Sequence, residues 1–535
     1  MTKWFLLPGV FAWVAGLAVA QVQPTFRVGT RLVQLDVVVL NDKTPVRGLT
    51  KDDFTLQDKG KPQAIAVFSA TEAHKTAKSD PLPSNVSSNR MNNRGESTST
   101  ATVILFDKMN TPSTSQVVAR RETLALLSSL KETDRVAFYS LDTDLAMVQD
   151  FTDDADRLAR AAKSLTTMAP AAAAAAGTPE DRALVSSLQN SLTAYQQGVN
   201  GSTKVASTLD AFRTIVRHLD GLPGRKNLIW LTASIPFTFG SSVERRQDDQ
   251  AELDRMIRLM SDANVAVYAV DPRGAGAGNT LEIPSDTNSG GGRFLGGAAG
   301  KASDNGINTL SGNQGLQKIS EDTGGKAFYN TNDLAGALRE ILDTNEVTYS
   351  LGFYVDEKAL DGKIHDLSVK LVKKPETAKA SVRHRKNYAA LNAQALAMQQ
   401  PRTQIGVLAA DALDASGIGI MAATAPSPNQ AGIHLVQVRV DVADLTMERK
   451  GDKWTGAFDL GLALQASGRQ QQSTDVNVKT INLSLSDDQL KQALTAGLVV
   501  DNTVPSPAQA MKLRVVVQDK LSGASGSVRI PIGPK

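Results

Sequence analysis

The sequence predicts an α/β fold in which a doubly wound, mostly parallel sheet is flanked by all-β, sandwich-like regions. Strand-like and helix-like stretches alternate between residues 101 and 346, which is typical of a doubly wound sheet. The stretches before and after this region are mainly strand-like. At 535 residues the chain is too long for one hydrophobic core, so we expect several domains.

Seven segments follow from this pattern. In chain order they are a signal peptide (1–20), an N-terminal β unit (26–70), a linker (71–100), an α/β domain (101–346), strands that complete a sandwich with the N-terminal unit (347–388), a connecting helix and linker (389–430), and a C-terminal β-sandwich-like domain (431–535).

The composition excludes several classes of function. The net charge of +3 is close to neutral for this length, and nothing in it argues for nucleic acid, which would need a clustered basic face; we therefore expect no nucleic-acid partner. The chain has no cysteine, which excludes disulfides, thiolate metal sites and lipid attachment through an N-terminal cysteine. The hydrophobic content of 41% with 21% charged residues is ordinary for a globular protein.

The first twenty residues have the pattern of a secretory signal. Lys3 precedes an apolar stretch, and the small residues Ala18 and Ala20 form a cleavage site before Gln21. We therefore expect an exported protein, periplasmic or extracellular. An uncleaved anchor is the alternative, but the apolar stretch is shorter than the ~20 residues of a spanning helix. No other stretch approaches that length, so no membrane span is expected after signal removal.

The N-terminal β unit begins with a strand over residues 31–40, whose apolar face carries Val33, Leu35, Val37 and Val39. Further strands are predicted at 55–57 and 61–68. Three strands alone are marginally stable, so the later strands at 349–354, 365–372 and 380–385 are expected to complete this unit. The polar stretch 71–100 between them predicts a flexible linker.

The α/β domain is organised around the apolar run 103–106, which predicts a strand buried on both faces. This strand ends at Asp107, and Pro112 then opens a helix. Its predicted apolar stripe consists of Val117, Leu124, Leu127 and Leu130. Loops at the carboxyl ends of parallel strands meet in one crevice, so Asp107 is expected to face a ligand site.

The remaining elements of this domain follow in order. An antiparallel hairpin is predicted from the strands 135–141 and 145–151. The other predicted strands are 226–232, 265–270 and 326–329, and the predicted helices are 153–167, 181–195, 204–219, 245–263, 316–323 and 333–345.

The C-terminal part of the chain predicts a second all-β region. A helix over 389–403 is expected to connect it to the sandwich strands. Strands are predicted at 433–440, 455–462, 476–485 and 512–518, and Ser486 is a good cap for a short helix.

Residues 107–111, DKMNT, resemble the first metal loop of the von Willebrand factor type A domain, Asp-x-Ser-x-Ser. The Asp and the final hydroxyl match, while Met109 replaces the central Ser. The run 32–68, LVQLDVVVLNDKTPVRGLTKDDFTLQDKGKPQAIAVF, is similar to the β unit that precedes this domain in the VWFA-related family found widely in Acidobacteria. The resemblance covers most of residues 26–354.

The resemblance implies a magnesium site, the metal-ion-dependent adhesion site, with Asp107, Thr111 and Thr203 as ligands and Asn110 or Ser234 as holders of bound water. The site is degenerate, because the carboxylate that the family carries on its third loop is missing next to Ser234. One carboxylate with neutral oxygens binds magnesium weakly. The residues themselves allow another interpretation of Thr203, as an ordinary helix N-cap.

The resemblance further implies protein binding, because in this family a partner's Asp or Glu completes the metal coordination. We therefore predict an exported protein that mediates protein–protein interaction or adhesion and that is not an enzyme. Asp271, at another strand end, either faces the same crevice or starts a turn. The alternative is a secreted hydrolase or other enzyme with a site near the glycine-rich loop 274–311.

Overall fold

A computed structural model describes residues 30–72, 82–90, 101–127, 130–131, 134–152, 154–164, 204–222, 224–235, 243–274, 312–372, 377, 379–391, 403–465 and 476–533. The predicted signal peptide, the predicted helix at 181–195 and residues 275–311 of the glycine-rich loop lie outside these ranges. Within them, no helix is long and apolar enough to cross a membrane.

The strands are β1 Thr30–Asn41, β2 Thr44–Pro45, β3 Phe54–Asp58, β4 Lys61–Gln63, β5 Val67–Glu72, β6 Val86–Ser88, β7 Ala101–Asp107, β8 Arg135–Leu141, β9 Leu145–Thr152, β10 Lys226–Leu231, β11 Val265–Val270, β12 Val347–Asp356, β13 Ile364–Leu371, β14 Ala380–Arg383, β15 Asn387–Ala389, β16 Ile420–Pro426, β17 Ile433–Val440, β18 Glu448–Lys450, β19 Lys453–Gln465, β20 Val476–Leu485, β21 Leu498–Pro505, β22 Met511–Asp519 and β23 Ser525–Ile532. The helices are α1 Ser113–Leu127, α2 Ala155–Ser164, α3 204–219, α4 Val243–Asp262, α5 Gly312–Asp322, α6 Leu334–Thr344, α7 Ile405–Ala410 and α8 Asp487–Ala496.

The α/β unit is a five-stranded sheet in the order β11-β10-β7-β8-β9. The first four strands are parallel and β9 is antiparallel, as the hairpin pattern predicts. One hydrophobic core joins the sheet to α3, α4 and α5, and a second core on the other face joins it to α1, α2 and α6. The prediction of a mixed α/β fold is therefore confirmed. The predicted strand at 326–329 is reduced to a single bridge between Val270 and Phe328.

Helix α1 buries most of its predicted apolar stripe, because Leu127 lies in the core and Leu124 and Leu130 pack against it. Val117 is 58% exposed, whereas Gln116 and Thr123 are buried beside Ala119. The polar pair is accommodated because each side chain bonds the backbone: Gln116 Nε2 donates to the carbonyl of Thr111 at 2.8 Å, and Thr123 Oγ1 donates to that of Ala119 at 2.7 Å. A pattern of apolar residues alone does not predict buried polar positions of this kind.

The N-terminal sandwich is built from strands at both ends of the α/β unit. Its sheets have the orders β14-β1-β12-β5 and β15-β13-β3-β4, with β2 beside β1. The predicted single strand at 61–68 is wrong, because β4 pairs with β3 in one sheet and β5 pairs with β12 in the other. Ile65 is buried where the chain passes between the sheets.

The C-terminal sandwich takes strands from two predicted linkers. Strand β6, inside the predicted linker 71–100, pairs with β16, which lies inside the predicted connector 389–430. This corrects both segments for residues 86–88 and 420–426. Most of the predicted helix 389–403 lies outside the described ranges, and α7 begins after it. Asn89, directly after β6, adds two hydrogen bonds to the segment before β16. Its side-chain amide nitrogen donates to the carbonyls of Ala415 and Ile418, each at 2.7 Å.

Both sandwiches are fixed against the α/β unit by hydrogen bonds. On the N-terminal side, the Arg385 guanidinium donates to the carbonyl of Gln34 at 2.6 Å and to that of Ser261 at 3.0 Å. On the C-terminal side, Arg217 pairs with Asp411 at 2.9 Å. The three units therefore form one packed arrangement over the described ranges.

The contact between Gly221 and Ser416 makes a testable prediction. Position 221 has no room for a side chain, because a Cβ there would overlap the backbone carbonyl of Ser416. Gly221→Ala is expected to lower the free energy of unfolding by about 2 kcal/mol, since the backbone must shift. Gly406→Ala is the matched control: open space surrounds Gly406 in α7, so alanine there is expected to be neutral or stabilising. Equal melting temperatures for both variants in thermal unfolding would contradict the assigned contact.

Candidate functional site

The carboxylate of Asp107 lies at the carboxyl end of the central strand β7 and is 1% exposed. It accepts hydrogen bonds from three N–H groups. The backbone nitrogen of Asn110 donates to Oδ1 at 3.0 Å, while Asn110 Nδ2 at 2.8 Å and Trp230 Nε1 at 2.9 Å donate to Oδ2. The carboxylate is therefore held by neutral donors of its own chain.

Burial raises the pKa of the Asp107 carboxyl above its ordinary value. The hydrogen bonds from Asn110, Trp230 and Thr232 act in the opposite direction without outweighing burial. The donors thus compensate only part of the cost of removing this group from water.

The other candidate residues of the loop converge on the same network. Thr111 Oγ1 accepts from the Ala233 nitrogen at 3.2 Å. Asn110 Nδ2 also contacts Thr208 Oγ1 at 3.2 Å, and Ser234 Oγ donates to the Asn110 carbonyl at 3.4 Å. The structure therefore brings Asp107, Asn110, Thr111 and Ser234 together. Thr203 lies outside the described ranges, one residue before α3.

The loop is also held from the helix side and from the neighbouring strand. Gln116 Nε2 donates to the Lys108 carbonyl at 3.1 Å, and the Lys108 nitrogen donates to the Leu141 carbonyl at 2.8 Å. Lys108 Nζ pairs with Asp142 at 2.7 Å on the next loop. The loop 107–111 is therefore ordered by contacts within the chain.

The described residues of the site do not by themselves fit a magnesium ion, and the predicted ligand Thr203 lies outside them. Magnesium requires about six oxygen ligands in a near-octahedral shell, whereas Asp107 Oδ2 accepts hydrogen bonds from the N–H groups of Asn110 and Trp230. Within the described ranges, no group of three or more His, Asp or Glu residues is arranged to hold a metal. In the described part of the chain, Oδ2 of Asp107 is thus engaged by N–H donors.

Two residues that contact the site, Trp230 and Thr208, are not predicted as site residues from the sequence. The sequence predicts Trp230 only as a buried strand residue, and Thr208 only as part of helix α3. A buried indole requires an acceptor for its N–H, so a tryptophan within a buried strand signals a polar partner. Nothing in the local sequence indicates that the partner is Asp107.

Asp271 starts a turn. Its carboxylate takes a two-pronged ion pair from Arg273, with contacts of 2.7 to 3.1 Å, and also accepts from the Arg273 nitrogen at 2.9 Å. This side chain is therefore engaged within its own loop.

Histidines form a separate set of buried contacts. The Nδ1 atom of His365 lies 2.9 Å from Asp58 and its Nε2 atom lies 3.0 Å from Asp361. Tyr388 donates to the same Asp58 carboxylate at 2.9 Å. His384 Nε2 accepts from the backbone nitrogen of residue 369 at 3.2 Å. The contacts of Asp58, His365 and Tyr388 therefore link strands β3, β13 and β15 within one sheet, whereas His384 links β13 to the segment after β14 of the other sheet.

No family model and no curated protein matches this chain. Solved structures give distant likenesses. A von Willebrand factor type A protein from Catenulispora acidiphila is 10% identical over 90% of this chain and 74% of its own, with a TM-score of 0.25. The ArnB paralog VWA2 from Sulfolobus acidocaldarius is 9% identical over 95% of this chain and 76% of its own, with a TM-score of 0.23. An aerotolerance-related membrane protein from Bacteroides fragilis NCTC 9343 is 13% identical over 46% of this chain and 98% of its own, with a TM-score of 0.25.

Likenesses at these scores carry no functional argument. The strand order of the α/β unit, with its parallel strands and antiparallel edge β9, is by itself compatible with a von Willebrand factor A-like fold.

Proposed function

We propose that this chain is an exported protein-binding or adhesion protein whose α/β unit binds a protein partner without a metal ion. The observation that carries the proposal is the loop 107–111, which its own hydrogen bonds hold in place at the carboxyl edge of the sheet. Ligand sites of open α/β sheets lie at this edge. The signal-like pattern in residues 1–20 supports export.

An ordered loop favours binding because little conformational entropy is lost when a partner docks. In the resembled family the metal fixes this loop and supplies positive charge. In this chain Asn110 and Trp230 fix the loop instead, since both donate hydrogen bonds to the carboxylate of Asp107. Lys108 supplies the positive charge. An Asp or Glu of the partner would compete with Asp142 for the ammonium group of Lys108.

Photo-crosslinking tests this function. A photo-reactive amino acid at position 109, which is partly exposed beside Lys108, is expected to capture one discrete protein in cells that produce the full chain. The matched control places the same group at position 478, an exposed valine of β20 in the C-terminal sandwich. Irradiation in the presence of EDTA is expected to form the same adduct at position 109, because no ion takes part in binding.

Two results would overturn the proposal. Absence of any adduct at position 109, while the chain is folded and exported, would remove the loop as a binding surface. An adduct that fails to form when irradiation is done in EDTA, and forms again when magnesium is added before irradiation, would restore the metal-dependent mechanism.

A further inference from the structure

A cleft lies between the α/β unit and the N-terminal sandwich, away from the loop 107–111. It has a volume of about 370 Å³. Glu321 and Lys326 line it from the α/β unit, and Arg383, His384 and Lys386 line it from the sandwich. This volume is within the usual range of small-molecule sites, about 300–1,000 Å³.

The charged groups of the cleft are predominantly cationic. Lys326, Arg383 and Lys386 face one lining carboxylate, Glu321, which accepts a hydrogen bond from Gln317 at 2.7 Å. Lys386 is exposed and forms no ion pair with any residue in the described ranges. Burial lowers the pKa of His384 to about 4, so this ring adds no charge at neutral pH.

Glu340 pairs closely with only one of these cations. Glu340 lies behind the cleft and pairs closely with Lys326, at 2.7 Å. Its contact with Arg383 Nη2 is long, at 3.9 Å. The other terminal nitrogen of Arg383, Nη1, is buried and has no hydrogen-bond partner in the described part of the chain. A buried N–H without an acceptor is costly, so the Arg383 guanidinium has hydrogen-bonding capacity that the described residues leave unused.

The rest of the lining is suited to an organic ligand. Ala327 and Val382 contribute aliphatic surface, and the ring of Tyr329 is partly exposed at the cleft. A guanidinium presents its N–H groups in a planar fork that matches a carboxylate.

We propose that this cleft binds a small organic carboxylate, with Arg383 and Lys386 receiving the carboxylate oxygens and the aliphatic wall covering the carbon skeleton. The site is independent of the proposed protein-binding loop, and its ligand neutralises the excess positive charge of the cleft. Phosphate shares the negative charge but lacks the carbon skeleton, so it is expected to bind more weakly.

Calorimetric titration of the full mature chain with citrate tests the site. Saturable binding is expected, at least tenfold tighter than the binding of inorganic phosphate. Lys386→Gln, at an exposed position, is expected to weaken citrate binding about tenfold, because one charge-assisted contact is lost. Arg383→Gln is expected to weaken it further. Lys512→Gln is the matched control, since Lys512 is exposed on β22 in the other sandwich.

No heat with citrate up to about 10 mM, a concentration at which even weak sites fill, would overturn the proposal. Equal binding of citrate and phosphate would also overturn it in favour of a simple anion site. If Lys386→Gln and Lys512→Gln reduced binding equally, the effect would be one of net charge and the cleft would be excluded. Circular dichroism of Arg383→Gln separates loss of binding from loss of folding, and Lys386→Gln tests the site if Arg383→Gln does not fold.

Discussion

Asp107→Ala is expected to lower the free energy of unfolding by about 3 kcal/mol, because it leaves buried N–H donors of Asn110 and Trp230 without an acceptor. Burial raises the pKa of the Asp107 carboxyl, so this group is costly to keep in the folded state. Removing it therefore offsets part of the stability that the variant loses. We expect the loss of acceptors to be larger, because two side-chain donors and one backbone donor depend on the same group. Chemical unfolding followed by tryptophan fluorescence and circular dichroism measures the difference.

Magnesium distinguishes a hydrogen-bonded carboxylate from a metal ligand. A ligand that binds only the folded state raises its stability, so an occupied metal site would raise the melting temperature of the natural chain as magnesium is added. We expect no such rise, and the same cost of Asp107→Ala with magnesium as with EDTA. Asp142→Ala, at an exposed carboxylate on the next loop, is the matched control and is expected to cost less than about 1 kcal/mol. A magnesium-dependent stabilisation of the natural chain that Asp107→Ala abolishes would contradict the assignment.

Acidification from about pH 6.5 to pH 4 is expected to destabilise the N-terminal sandwich through His384. Burial is the main cause that lowers the pKa of this histidine to about 4, and the charges of Lys386, Arg225 and Arg385 act in the same direction. The folded state keeps the ring neutral, while the unfolded chain protonates it near the ordinary pKa. Since the unfolded state then binds more protons, stability is present above the ordinary pKa and falls with pH, by about 3 kcal/mol in total.

His384→Gln removes this titration and is the variant to compare. The difference in unfolding free energy between the natural chain and the variant is expected to shrink as the pH falls from 7 to 4, because only the natural chain carries the protonation cost. His218 provides a contrast of opposite sign. Although burial acts against it, the hydrogen bond to Asp150 raises the pKa of His218. Its contribution is therefore present below the ordinary histidine pKa and is lost as pH rises through the folded value. Parallel pH profiles for the natural chain and His384→Gln would contradict the role of His384.

Several secondary-structure elements that depend only on neighbouring residues are predicted correctly from the sequence. Residues 103–106 are apolar on both faces because β7 is the central strand between two helical layers, and this is visible in the sequence. The cap that Ser486 provides at the start of α8 is likewise predicted and is confirmed, with Gln489 completing a capping box. Strand β6 could not be predicted, because its partner β16 lies more than 300 residues away in sequence. Strand β16 also pairs with the neighbouring β17, a local hairpin that the sequence analysis missed.

The candidate site shows the same division. The α/β class and the position of Asp107 at the end of a buried strand follow from the sequence alone, because hydrophobic periodicity and strand termination are properties of neighbouring residues. The contacts of this carboxylate, in contrast, depend on the tertiary fold. Trp230 is 123 residues from Asp107, and Thr208 is 98 residues from Asn110. Parallel pairing of β7 with β10 and the packing of α3 bring these donors and acceptors together, and no local pattern encodes their distances.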